Sequence, residues 1–159
     1  MAYEMTGMHI LLALLLSSPA PSPVPVKQKL TLTLPNGWVQ TESGRFNEWR
    51  SPNDSSEFRV SITAMTPDLQ GPNAVDTVKA MVRRATAMTN PAASPDVKTV
   101  HVCNGAQVAY RVDDPIGVGS PGFILIVPGS ESAGIINYEV LRGKADPRIQ
   151  STVDKLCWP

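Results

Sequence analysis

The sequence predicts an α+β domain, an antiparallel sheet of about six to seven strands flanked by two main helices in an αβα sandwich. Three observations carry this. Period-two alternation of apolar residues opens the folded part of the chain, from Gln28 to Ala64. One stretch of helical period interrupts it near residues 74–88. Extended segments then resume, and a short amphipathic run closes the chain.

The elements follow in order. Leu30, Leu32 and Leu34 alternate with Lys29, Thr31 and Thr33, which reads as a half-buried strand over Gln28–Leu34. Pro35-Asn36-Gly37 supplies turn chemistry, and Trp38 follows. Arg45–Arg50 fits a short strand closed by Ser51-Pro52-Asn53-Asp54. Glu57–Ala64 alternates again, with Phe58, Val60, Ile62 and Ala64 on the apolar side. Asn73 is placed to cap a helix, with Asp76 near its positive end. Val75, Val78, Val82 and Ala85, with Met81 and Met88 as core filling, form its apolar stripe, and Asn90-Pro91 stops it.

The second sheet half begins at Val97. Asn104-Gly105 between alternating apolar arms predicts a type I′ hairpin, with Val100 and Val102 on one arm and Ala106, Val108, Tyr110 and Val112 on the other. Gly122–Val127 is almost continuously apolar, the mark of a central strand covered on both faces. After the polar turn PGSESAG, Ile135–Arg142 reads as its antiparallel partner. Asp146-Pro147 then opens a closing helix with Ile149, Val153 and Leu156 on one face and Cys157 at its end.

Composition narrows the function classes. Fourteen basic residues balance fourteen acidic ones, so the chain lacks the basic excess that nucleic acid or an anionic membrane surface attracts. Arg83-Arg84 is an adjacent basic pair on a face turned to water. Ile10–Leu16 is apolar, too short to span a bilayer but long enough for a signal peptide over residues 1–20, with a possible start at Met8. Residues 21–27 form a Pro-rich linker, and residues 28–159 a single globular domain. No cysteine lies at the leader's end, so no lipid anchor is expected there. The expected location is outside the cytoplasm: periplasmic, extracellular or lumenal.

In such a compartment Cys103 and Cys157 are expected to form a disulfide. Free thiols and a metal site with His101 are the alternatives. Zinc wants four ligands, or three and a water, and the only other histidine, His9, lies in the leader. No metal or cofactor is therefore expected. Gly117-Val118-Gly119-Ser120-Pro121-Gly122 spells GxGxxG, but a strand follows it where a phosphate site needs a helix. Ser120 or Ser130 with His101 and Asp113 or Asp114 is the one conceivable hydrolase set, and Asp113-Asp114-Pro115 equally fits a plain turn. Asn53-Asp54-Ser55 is a glycosylation sequon, meaningful in a eukaryotic secretory pathway. Trp38, Trp49 and Trp158 fit core or rim anchors better than a binding cleft.

The order of landmarks resembles the Mog1/PsbP-like superfamily. The landmarks are Pro35-Asn36-Gly37-Trp38, Trp49 with Pro52, a helix, Cys103-Asn104-Gly105, a strand with Tyr138, and Leu156-Cys157. The resemblance spans residues 27 to 159. It implies an antiparallel sheet flanked by helices and a non-enzymatic role in binding or assembling protein partners, with no catalytic residue to carry over. The expectation is thus an exported protein-binding or chaperone-like domain with no catalytic site. A small-ligand carrier, and behind it the Ser/His hydrolase, are the alternatives.

Overall fold

A computed structural model describes residues 32–43 and 46–159. The leader, the linker and the start of the first expected strand lie outside those residues. The described chain forms one antiparallel sheet of seven strands in the order β1-β2-β3-β7-β6-β5-β4. The strands are β1 (Val39–Glu42), β2 (Phe46–Arg50), β3 (Ser56–Ala64), β4 (Val97–Val102), β5 (Gln107–Asp113), β6 (Phe123–Pro128) and β7 (Ser132–Val140). Between β3 and β4 run a 3₁₀ turn, Pro67–Leu69, and helix α1 (Ala74–Thr86); helix α2 (Arg148–Lys155) follows β7.

Strand alternation sends neighbouring residues to opposite faces, and each face has its own helix. Ile149 and Val153 of α2 pack with Leu156 and Trp158 on Phe58, Val60, Leu125, Val127 and Ile136. Val78 and Val82 of α1, with Leu69, pack on the other face against Val112, Ile126 and Ala133. Leu125 and Ile126, adjacent in β6, therefore bury themselves under different helices. This is why the Gly122–Val127 run is apolar without alternation, as expected of a doubly covered strand.

Several expectations need correction. Leu32–Leu34 is irregular, not strand, and among the described residues the first strand is β1. The leucines meet their apolar need differently: Leu32 and Leu34 pack onto the core on the α2 side. Thr152 of α2 donates to the Thr33 carbonyl at 3.4 Å. The Pro35 turn does form, closed by Trp38 N–H on the Pro35 carbonyl, with Gly37 at φ 94°. In α1 the buried residues are Ala74, Val78, Val82 and Thr86, the i+4 ridge. Val75 falls outside it, and Met88, beyond the helix end, is 64% exposed rather than core filling. Asn73 sits at the cap position without a side-chain cap bond. Ile62 and Val108 are exposed. β7 begins at Ser132, three residues before the expected Ile135.

Candidate binding surface

The two ends of the sheet differ on the α1 side. The apolar cluster beneath α1 draws on β4, β5, β6 and β7, and on no residue of β1, β2 or β3. There the same face carries charge. Register pairs Glu48 with Arg59, Arg50 with Glu57, Arg59 with Asn137 and Glu57 with Glu139. Residues directly opposite across antiparallel strands share a face, so these side chains form one continuous polar surface. Strand β7 records the change along its length. On this face it carries Ala133 and Ile135 within the α1 cluster, then Asn137 and Glu139 beyond it.

Most of the charge is internally matched. Arg59 holds Glu48 through Nη2 and through Nε at 3.0 Å. Arg50 Nη2 reaches Glu57 at 2.6 Å, and Thr41 Oγ1 donates to Glu48 at 3.1 Å. Burial opposes ionisation of Glu48, but Arg59, Thr41 and Arg50 outweigh it and hold the carboxyl below its ordinary value. Glu139 is different. It has no ion pair among the described residues, and although its side chain reaches solvent its pKa is raised, first by partial desolvation on the sheet and then by the Glu57 charge, with Arg59 a partial offset. Phe46 adds an apolar element to the face, with the Arg59 guanidinium 4.9 Å from its ring centroid.

The cysteines are placed at the far end of the sheet. Cys103 and Cys157 form a disulfide with Cα atoms 4.5 Å apart. The hairpin that presents Cys103 keeps the register an Asn104-Gly105 turn implies, with Val102 opposite Gln107, but its connection is four residues, Cys103–Ala106, so Ala106 belongs to the turn and not to the arm. Cys103, Asn104 and Gly105 all have positive φ, and the first tight turn centres on Cys103-Asn104, closed by Gly105 N–H on the Val102 carbonyl. The Asn104 N–H is drawn instead to the Asp154 carbonyl at the end of α2, at 2.8 Å. Gln107 clamps the same C-terminal segment, giving Nε2 to the Trp158 carbonyl and accepting the Trp158 N–H, both at 2.9 Å. The Trp158 indole lies on Gly134, where a Cβ would collide with the ring. Trp158 is thus a core anchor, while the half-buried Trp49 against Phe58 and Trp38 against Tyr138 anchor its rim.

The hydrolase candidates do not form one set: Ser120 and Asp114 share a loop, but His101 lies at the other end of β5. His101 pairs with Val108, and Asp113 lies five residues further along β5, about 16 Å of strand. Ser120 sits beyond Asp113, whereas Ser130 lies at the opposite end, its N–H on the Pro159 carbonyl. Asp113 pairs with Lys98 and Arg111. Asp114 sits inside the glycine loop: its carboxylate accepts the N–H groups of Val118, Gly119 and Ser120 at 3.1, 2.7 and 3.2 Å. Burial opposes ionisation there, and those backbone donors more than offset it, so its pKa is lowered. The phosphate-like letters GxGxxG therefore cradle an anion of the chain itself. Both thiols are in the disulfide, so neither is a thiolate ligand beside His101.

Among the described residues no helix is long and apolar enough to cross a membrane. No family model, curated protein or solved structure matches the chain.

Proposed function

We propose that this is an exported, non-enzymatic domain that binds a protein partner through the charged half-face of β2, β3 and β7. The observation that carries the reading is Glu139. A carboxylate flanked by Glu57, with a raised pKa and no counter-ion among the described residues, adds nothing to the stability of the isolated fold. A partner cation would complete it. Export is supported by the apolar leader read from the sequence and by the disulfide, a bond of oxidising compartments. The seven-stranded antiparallel sheet with two helices is compatible with the Mog1/PsbP-like resemblance and with its partner-binding, assembly-factor role.

Site-specific photo-crosslinking in the native envelope or medium tests this. A crosslinker at Asn137 on the open face should trap a discrete protein adduct that Glu139→Lys suppresses, and one at Ala80 on α1 should not. Equal adducts from both positions, or no effect of the charge reversal, would overturn it. Turnover of an ester, glycoside or peptide abolished by His101→Ala would replace it with the hydrolase reading.

A further inference from the structure

A cleft of about 340 Å³ opens between the β2–β3 turn and the loop leading into α2, lined by Ser51, Asn53, Ser55, Lys144, Asp146 and Arg148 among others. Long-range contacts build it. Gly37 allows Pro52 to pack against the Pro35–Trp38 turn, since a Cβ at Gly37 would lie 2.7 Å from the proline ring. Trp38 Nε1 crosses to Asp146 at 3.2 Å. The Leu141 and Arg142 N–H groups both bond the Ser55 carbonyl. The cleft is polar, unlike the apolar concavity expected of a small-ligand carrier.

Its hydrogen-bonding capacity is lopsided. The acceptors are filled from within. Asp146 Oδ1 takes the Arg148 N–H and Nε at 3.0 and 2.9 Å, and Oδ2 takes Trp38 Nε1 and Arg148 Nη2 at 3.2 and 2.7 Å. Ser51 Oγ accepts the N–H groups of Ser55 and Ser56, each at 3.0 Å. Asn53 Oδ1 accepts Ser51 Oγ, Ser55 Oγ and the Ser55 N–H at 3.2, 2.6 and 3.3 Å. That backbone donor fixes the amide orientation, because only the oxygen can receive it.

Donors are left over. Asn53 Nδ2 and Lys144 Nζ have no acceptor among the described residues, and Arg148 Nη1 has only the Asn36 carbonyl at 3.5 Å. Lys144 and Arg148 against Asp146 leave the lining with one net positive charge. Solvent-facing donors with no protein acceptor, together with surplus positive charge, suit a ligand that supplies acceptors and negative charge.

We infer that this cleft is a binding site for a small organic anion, whose carboxylate or phosphate oxygens are received by Lys144 Nζ, Arg148 Nη1 and Asn53 Nδ2. The site is separate from the charged sheet face and does not depend on it.

Amide chemical shifts of the full disulfide-bonded protein, titrated with succinate, with inorganic phosphate and with neutral glycerol at constant ionic strength, test the inference. Saturable shifts confined to residues 51–56 and 144–148 are expected from at least one anion, and the stronger of the two identifies the oxyanion. Lys144→Gln, at an exposed position that leaves the fold intact, should weaken that binding about tenfold. Lys79→Gln on α1 should leave it unchanged. Shifts scattered over the surface, equal responses to glycerol, or indifference to Lys144→Gln would each overturn the assignment. Because the readout is a small-molecule titration, its failure leaves the crosslinking test of the sheet face standing.

Discussion

The two halves of the sheet solve the same problem in opposite ways. At β5 and β6, helices cover both faces and the strands are apolar on both sides, as Val112 and Ala109 or Leu125 and Ile126 show. At β3 only the α2 side is apolar. Phe58 and Val60 point into the core, while Glu57, Arg59 and Ser61 point the other way. The face that no described helix covers carries polar pairs instead, ion pairs at Glu48–Arg59 and Arg50–Glu57 and the like-charged pair Glu57–Glu139. The covered half has the composition of a stable interior. The open half keeps a specific charged pattern that stability alone does not require.

The largest expected effect breaks the covered half at its tie to the C-terminus. The disulfide spans a sequence separation of 54 residues, and its closure is worth about 4 kcal/mol by loop entropy. Cys103→Ser with Cys157→Ser should lower unfolding free energy by about that amount in urea titrations. A loss below about 1 kcal/mol would mean that Trp158 and the Gln107 clamp fix the C-terminal segment alone.

Next comes a direct contrast between the halves. Leu125 is fully buried in β6, and Leu125→Ala should cost about 3 kcal/mol, from lost burial and the cavity left behind. Ser61→Ala on the open face should change stability by no more than about 0.5 kcal/mol. Similar losses at both positions would show that the open face is packed as tightly as the covered one. Within the open half, Glu48→Gln removes the hub of the Arg59, Arg50 and Thr41 contacts and should cost about 1 kcal/mol. Its carboxyl is lowered on folding, so the native protein gains from ionisation above the unfolded value of 4.5 and loses that gain as pH falls through the folded value. Comparing urea titrations at pH 6 and pH 3, the variant should depend less on pH than the parent.

Much of the apolar framework is legible in the sequence. Alternation locates β3 and β5, the unbroken apolar run locates β6, and the spacing of Ile149, Val153 and Leu156 marks the C-terminal face. The disulfide expected between Cys103 and Cys157 is present. β1 is invisible for a physical reason: all four of its residues are exposed, so no apolar period marks it. The same holds for the charged face and the cleft. Glu57 and Glu139 become neighbours only through the β3–β7 register, and Lys144 meets Asn53 only across the folded chain. Leu32 and Leu34 mislead because period two records burial on one side, and an irregular segment packed on the α2 side satisfies it as well as a strand does.

The smallest effect is the most discriminating. Glu139 has its pKa raised by partial desolvation and by Glu57, so the folded protein disfavours its ionised form. The sign of the linkage is therefore opposite to that of Glu48. Below the unfolded value of 4.5 the protonated side chain carries no penalty, and as pH rises through the folded value the penalty appears. Glu139→Gln should thus raise stability at pH 7, by only about 0.3 kcal/mol because solvent screens an exposed group, and should gain nothing at pH 3.5. The same substitution should weaken the crosslink from Asn137. A residue at which stability and binding move in opposite directions is held in place by its partner and not by the fold. If Glu139→Gln instead destabilised the protein at pH 7, Glu139 would have a stabilising contact within the sheet, and the open face would lose its strongest mark as a docking surface.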